Sequence, residues 1–475
     1  MILINVESVG VLQLSIWQPE DLFQSPISLT IDGLSWPLIY GAVTVLLSVI
    51  LTAATRPQAE HADLRSFWFL YTSFAVIAIM SANLLTTAIA WAMMDFGTVI
   101  FLLSISENQQ DRRAIFVRAG VNAVSVLLII AAAMTSQIQG IVALDLTKTS
   151  AIGIMMLAIA ASLRLGLMPL HFALPPFAPL RRDVGTLLRL LPPVVALALL
   201  ARVFAAGLPE VLRVVFIIAG CTGGILGAVR WFLQEEIVEA RPYFVLAQAG
   251  LGIIIATIAG GGAQIIVASG LIILLVGAVI SLYAQHTPSH RIIPIIASVL
   301  LLGVPFTPGG VYATAVANPE TFMSAPVVSV ISIIITALLT LGCFHLFFTQ
   351  ETRWPIGESL ARVMFNLGLA LPLMVAIGVG IWRMRTDPLR GLFFPLAALI
   401  LSGAMFLLFR SLSLERIDRI RVQFKRFDPN PIYEALWTIL QKLLVSIRGL
   451  GEIFEGFSGM LWLFVFVIVV LFIVQ

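Results

Sequence analysis

Very few residues in this chain could do chemistry. Inside its long apolar runs, the groups able to hold or pass a charge are Asp95, Arg164, Arg189 and Arg202, with His171 at the edge of one run. A charge in such surroundings is costly, so each is a functional candidate by default. Asp95 lies in AIAWAMMDFGTV. Alone among such neighbours a carboxyl stays neutral, and a nearby guanidinium keeps it charged. Arg164 and Arg189 fall at similar apolar depth and are the candidate partners. Two chemistries follow, and the residue types leave both open. Asp95 is either a titratable group on an ion path or half of a permanent ion pair joining two spans. A second acidic group, Glu235 and Glu236 in QEEIVEARPY (234–243), sits between two apolar runs. An ordinary loop is its plainer reading.

The elements that must position these residues are membrane helices. The 475 residues are 60% hydrophobic and 11% charged, with a mean hydropathy of +1.04. A soluble domain carries about 25% charged residues, so this composition predicts an integral membrane protein. The formal net charge is +3, and no concentrated basic patch lies outside 410–426, which argues against nucleic-acid binding. Cys221 and Cys343 both sit in apolar runs, with neither the spacing of a metal site nor that of a disulfide framework. The first residues, MILINVESVGVLQLSIW, lack the basic and apolar regions of a cleavable signal.

Apolar segments of ~17–25 residues recur along the chain. They fall near 37–54, 67–84, 85–105, 115–135, 150–168, 186–206, 211–233, 243–261, 264–285, 292–315, 326–349, 363–382, 390–409 and 457–474. An all-α, polytopic bundle of about fourteen spans is expected. Arginines concentrate in the loops after odd-numbered spans, among them Arg56, Arg112, Arg181, Arg230, Arg291 and Arg353. That places those loops in the cytoplasm and both ends outside; RMRTDPLR (383–390) is the exception. Residues 1–35 are then an outer segment, whose VGVLQLSIW alternation predicts a short strand or hairpin. Residues 36–410 form the bundle. Residues 411–456 hold a charged stretch, then a helix with Ile432, Leu436, Ile439, Leu440, Leu443, Ile447 and Leu450 on one face. It lies along the membrane or a partner, or serves as a connector packed on its own bundle. Residues 457–475 supply a final span.

Prolines and glycines interrupt two spans: Pro169 and Pro175 in the fifth, and Pro305, Pro308 and Gly309 in the tenth. Broken helices survive at membrane depth only where protein or a cavity satisfies the freed backbone groups. Two breaks five spans apart predict two inverted five-helix repeats, an architecture of transporters.

Five stretches carry a resemblance to a known family. They are LTIDGLSWPL (30–39), SANLLTTAIAWAMMD (81–95), RLGLMPLHFALPPF (164–177), LLLGVPFTPGGVYA (300–313) and FEGFSGMLWLF (454–464). Together they resemble the antiporter-like membrane subunits shared by respiratory complex I, membrane-bound hydrogenases and multisubunit sodium/proton antiporters. The resemblance covers most of residues 25–475, without the family's first two helices. It implies a subunit of a proton- or cation-translocating complex in the cell's inner (cytoplasmic) membrane. Such a subunit binds no cofactor of its own and has other membrane subunits and lipid as partners.

The family's ion path runs through a Glu–Lys pair, a central His or Lys and a final Lys. This chain departs at each place. The Glu position after Trp91 is Ala92, and Asp95 lies three residues on, on the same helix face. The paired Lys position is Arg164, the next His position is Arg189 and the last Lys position is Ala313. The helix corresponding to 265–284 holds no ionisable group except Tyr283. The three lysines are Lys148, Lys425 and Lys442, none in a bundle span. A buried lysine can shed its proton near neutral pH and so relay it; an arginine effectively cannot.

The expected function is therefore a membrane-arm, antiporter-like subunit of a complex-I-related, NADH:quinone oxidoreductase-type proton-translocating assembly. Its own proton path is degenerate or rerouted and its role is that of a scaffold. One alternative is active proton or cation translocation through Asp95 and His171, with Glu235 or Glu236. Another is the membrane partner of an inorganic-carbon accumulation complex.

Overall fold

The computed structural model describes residues 11–13, 26–53, 62–106, 109–138, 146, 149–167, 182–234, 237–283, 292–319, 325–349, 359–383, 390–411, 438, 442 and 445. Several sequence expectations lie outside these residues: Pro169, His171, Pro175, Glu235, Glu236, the final span at 457–474 and nearly all of the amphipathic stretch. The chain divides into two compact units, Met1–Ser411 and Leu412–Gln475, and the elements that follow belong to the first.

Fourteen α-helices are present among the described residues: α1 Ser35–Ala53, α2 Ala62–Met80, α3 Leu84–Ile105, α4 Gln109–Ile138, α5 Ala151–Leu165, α6 Arg182–Ala206, α7 Glu210–Leu233, α8 Ile237–Ile258, α9 Gly262–Leu282, α10 Ile292–Leu301, α11 Gly310–Ala317, α12 Ala325–Thr349, α13 Ser359–Arg383 and α14 Phe393–Ser411. Nine of them are long and apolar enough to cross a membrane, and four shorter helices are apolar as well. The molecule is a multi-pass, all-α membrane bundle. The one sheet among the described residues is minimal: β1 (Leu12–Gln13) pairs antiparallel with β2 (Ser28–Leu29), Leu12 opposite Leu29. A short strand does fall within the VGVLQLSIW alternation, and its partner lies beyond that stretch.

Helices α6 and α9 are buried all round, and α8 nearly so. A helix that is apolar on every face belongs in the interior of a bundle. Glycine allows the tightest crossing there. A Cβ added at Gly250 of α8 would lie 2.7 Å from the Gly220 carbonyl oxygen and the Gly224 amide nitrogen of α7. The outer helices α3 and α4 instead expose Met93, Phe96, Ile100, Phe116 and Leu127, apolar side chains suited to lipid.

Two family-like motifs turn out to be helix caps. At the start of α1, Asp32 Oδ1 accepts the Ser35 amide at 2.8 Å, and Ser35 Oγ accepts the Asp32 amide at 2.9 Å. This reciprocal arrangement satisfies donors that the first turn leaves orphaned. At the start of α3, Asn83 Oδ1 accepts the Thr86 amide at 2.7 Å, while Nδ2 donates to Pro26 O and Ser28 Oγ. Asn83 thus caps the helix and anchors the β2 segment at once.

The described part of the first interruption is the end of α5, just before Pro169 and Pro175, which lie outside the described residues. α5 ends at Leu165, and Gly166 takes the left-handed conformation (φ 67°). The Gly166 amide then donates to Leu163 O and the Leu167 amide to Ser162 O, both at 3.3 Å. This is a glycine C-cap, which needs no proline. The second break separates α10 from α11, with positive φ at Gly303 (80°) and Phe306 (63°). Gly303 and Gly309 abut across it; a Cβ on Gly309 would lie 2.8 Å from the Gly303 Cα. The Tyr312 amide donates to Gly309 O at 3.0 Å, which starts α11.

Candidate functional site

The site is built from four helices. Asp95 is the twelfth of the 22 residues of α3, half-way along it. Trp91, Asp95 and Thr98 recur at helical spacing on one face of α3. Arg164 sits in the last turn of α5, where the helix dipole favours a cation. Its Nη2 pairs with Asp95 Oδ2 at 2.5 Å, the two side chains being 1% and 15% exposed. The guanidinium also lies over the Trp91 ring, 4.2 Å from its centre, a cation–π contact strengthened by burial. From α4, Asn122 Nδ2 donates to Asp95 Oδ1 at 2.8 Å. Arg118, one turn earlier on α4, is within electrostatic reach of Asp95, Arg164 and Tyr71. Tyr71 of α2 closes the cluster, its hydroxyl 3.1 Å from Thr98 Oγ1.

The arrangement suits a lasting charge better than a moving proton. Each Asp95 oxygen accepts a hydrogen bond from a side chain that keeps its own proton, Arg164 on one and Asn122 on the other. These hydrogen bonds and the guanidinium favour the charged form of the carboxylate, against burial, which disfavours it. Arginine stays protonated, so Arg164 can pair and orient but cannot relay. Cationic donors outnumber their acceptor here: Arg118 Nε and Arg164 Nε and Nη1 are buried without a hydrogen-bond partner.

Arg189, the other expected partner of Asp95, is buried on α6, and Arg118 is among its electrostatic neighbours. Asp95 takes Arg164 instead, because the last turn of α5 faces the middle of α3. Arg202 forms a separate pair near the far end of α6, 2.8 Å from Asp32 Oδ2, with side chains 14% and 28% exposed. Burial alone would raise the Asp32 carboxyl. Arg202 and the Ser35 hydrogen bonds outweigh it and hold Asp32 below its ordinary value.

The C-terminal half holds a polar cluster of different kind. Gln248 Nε2 donates to the Tyr312 hydroxyl at 2.9 Å, and Ser269 Oγ donates to the Gln248 carbonyl at 2.9 Å. Ser269 Oγ and the Tyr312 hydroxyl both lie beside Gly252, 2.6 Å and 3.4 Å from where its Cβ would be. All three residues are buried, and none is charged. Neighbouring Ala313, where the family resemblance places a lysine, is buried as well.

Sequence reasoning missed Arg118, Asn122, Tyr71, Gln248, Ser269 and Tyr312, as well as the partnership of Asp32 with Arg202. Arg118 and Asn122 left a trace: they are four apart inside an apolar run, hence on one face. The others are polar residues of ordinary type, and only the packing brings them together.

No protein-family model matches the chain, and no curated protein does. Solved structures do match. A chain of the Mrp complex from Dietzia sp. DQ12-45-1b aligns over 98% of this chain with a TM-score of 0.67 and 14% identity. This chain spans 57% of that longer one. A chain of the membrane-bound sulfane sulfur reductase, an archaeal respiratory membrane complex, aligns over 99% of this chain and 92% of its own length, with a TM-score of 0.69 and 13% identity. Respiratory complex I from Thermus thermophilus with bound aureothin supplies a third match, covering 74% of this chain and 85% of that one at a TM-score of 0.58 and 17% identity. The fold is therefore one found in chains of multisubunit membrane complexes, as the resemblance to antiporter-like subunits implies.

Proposed function

We propose that the chain is an antiporter-like subunit in the membrane arm of a complex-I-related, redox-driven proton-translocating assembly. It scaffolds and seals that arm and does not itself carry protons. Its membrane is the cytoplasmic one, its partners are other membrane subunits, and two five-helix halves around the α5 and α10–α11 breaks make up its bundle. The observation that carries the reading is the Asp95–Arg164 pair. A non-relaying guanidinium stands where the resemblance places a relaying lysine, and it locks the nearest carboxylate. The neutral Gln248–Tyr312–Ser269 cluster supports the same reading, since among the described residues the other half offers no charged group at matching depth.

The broken helices favour a second reading, active transport through Asp95 and His171. Broken helices at membrane depth are costly unless packed around a site. The two readings separate on Asp95→Asn in the purified, reconstituted complex. The scaffold reading expects proton uptake per electron to stay unchanged wherever the complex assembles. A fall in that ratio in an intact complex supports transport.

A further inference from the structure

We infer that Gln248, Tyr312 and Ser269 form a proton block at mid-depth in the C-terminal half, an insulating element in its own right. The inference rests on the scaffold reading above and names the residues that enforce it there.

Relaying a proton requires every member of a hydrogen-bonded chain to take one proton and release another. This cluster fails at both ends. Its donor end is the Gln248 side-chain amide, which gives a hydrogen bond to the Tyr312 hydroxyl but does not release its proton at working pH. Its acceptor end is the Gln248 main-chain carbonyl, which takes the Ser269 hydroxyl hydrogen and stores no proton. Tyr312 and Ser269 both lie against Gly252, whose added Cβ would come 2.6 Å from Ser269 Oγ and 3.4 Å from the Tyr312 hydroxyl. Both hydrogen bonds of the cluster end on Gln248, so it leads nowhere across the membrane.

Position and packing make it a plug. Gln248 is the twelfth of the 22 residues of α8, and at 1.5 Å per residue that is near the middle of a ~30 Å apolar layer. Gln248 and Tyr312 are each 1% exposed and Ser269 is 0% exposed, which leaves water no room beside them. Gly252 makes the closeness possible. A Cβ there would lie 2.5 Å from Ser269 Cβ and 3.4 Å from the Tyr312 hydroxyl. Tyr312 belongs to the first turn of α11, so the cluster also fastens the second half of the broken helix to α8 and α9.

The test is passive proton flux into liposomes holding the assembled complex, driven by a potassium diffusion potential and read with a pH dye, without redox substrate. Gln248→Glu puts a titratable group of nearly the same shape into the cluster, and Tyr312→His does so from another member should the first fail to assemble. Tyr312→Phe removes a hydroxyl without adding a titratable group. The block predicts a tight wild type, a several-fold higher flux with the glutamate or histidine, and no rise with the phenylalanine. A titratable variant as tight as wild type in an intact complex overturns the block and leaves the scaffold reading standing. An equal leak with Tyr312→Phe assigns the flux to loosened packing and also overturns it. A wild type already as conductive as Gln248→Glu overturns the scaffold reading itself.

Discussion

Asp95 and Gln248 hold the same place in their helices, each the twelfth of 22 residues, yet their surroundings are opposite. Around Asp95 there are formal charges and donors without acceptors. Around Gln248 there is a neutral, hydrogen-bonded cluster. Packing explains the difference. The apolar stretches of α8 and α9 are 94% and 100% buried, whereas those of α3 and α4 are 33% and 24% buried. Lipid supplies no hydrophobic drive for helix association, so membrane helices rely on close packing and polar contacts. The central helices have the packing, with glycines at the crossings. The outer helices have little, and the Asp95–Arg164 pair with Asn122 holds α3, α4 and α5 together instead.

The largest way to break this contrast is Arg164→Ala. It leaves Asp95 buried beside an empty place, and breaking a buried pair by removing one partner costs about 3–5 kcal/mol. The yield of assembled complex should fall more than tenfold, measured by native gel. The double variant Asp95→Leu with Arg164→Met removes both charges and should recover most of it, since apolar replacement of a buried pair is often neutral. In the packed half the counterpart is Gly250→Val. Its Cβ would meet α7 backbone, which cannot move aside as a side chain can, and overpacking of this kind costs about 1–3 kcal/mol. A lower melting temperature in detergent, with native charge interactions intact, would mark the centre as held by packing.

Tyr312→Phe sharpens the neutral side. It takes the acceptor from the Gln248 amide, and an unsatisfied buried donor costs about 1–3 kcal/mol. The melting temperature should drop by less than with Arg164→Ala. The smallest effect belongs to Asp32→Asn, at a pair that is partly exposed. Such pairs contribute about 0–1 kcal/mol, and asparagine preserves the cap. The difference from wild type should depend on pH. Because the folded Asp32 carboxyl lies below its ordinary value of 3.8, its contribution is full above that value and fades as pH falls through the lower folded one. Melting curves of the two proteins should therefore converge in acid.

Much of the fold is readable from the residues. Runs of apolar residues mark α1 to α9, with ends up to six residues off at α4 and α8, because a span must be long and uninterrupted to satisfy its own backbone. The break at α10–α11 is written in GVPFTPGG. At the other interruption the described residues show the Gly166 cap that ends α5, while Pro169 and Pro175 lie outside them. Asp95 and Arg164 stand out as charges among apolar neighbours, and their pairing follows from similar depth. Choosing Arg164 over Arg189 does not follow, since it depends on which face α5 turns toward α3. The Gln248 cluster is illegible, because glutamine, serine and tyrosine in apolar helices come together only once three separate segments meet.

The central claim is that the charged half holds helices together and moves no protons. The most direct measurement is the proton-to-electron ratio of the assembled complex carrying Asp95→Leu with Arg164→Met, in sealed vesicles with substrate-driven turnover. The account predicts the wild-type ratio. A lower ratio in a fully assembled complex would contradict it and make Asp95 a carrier.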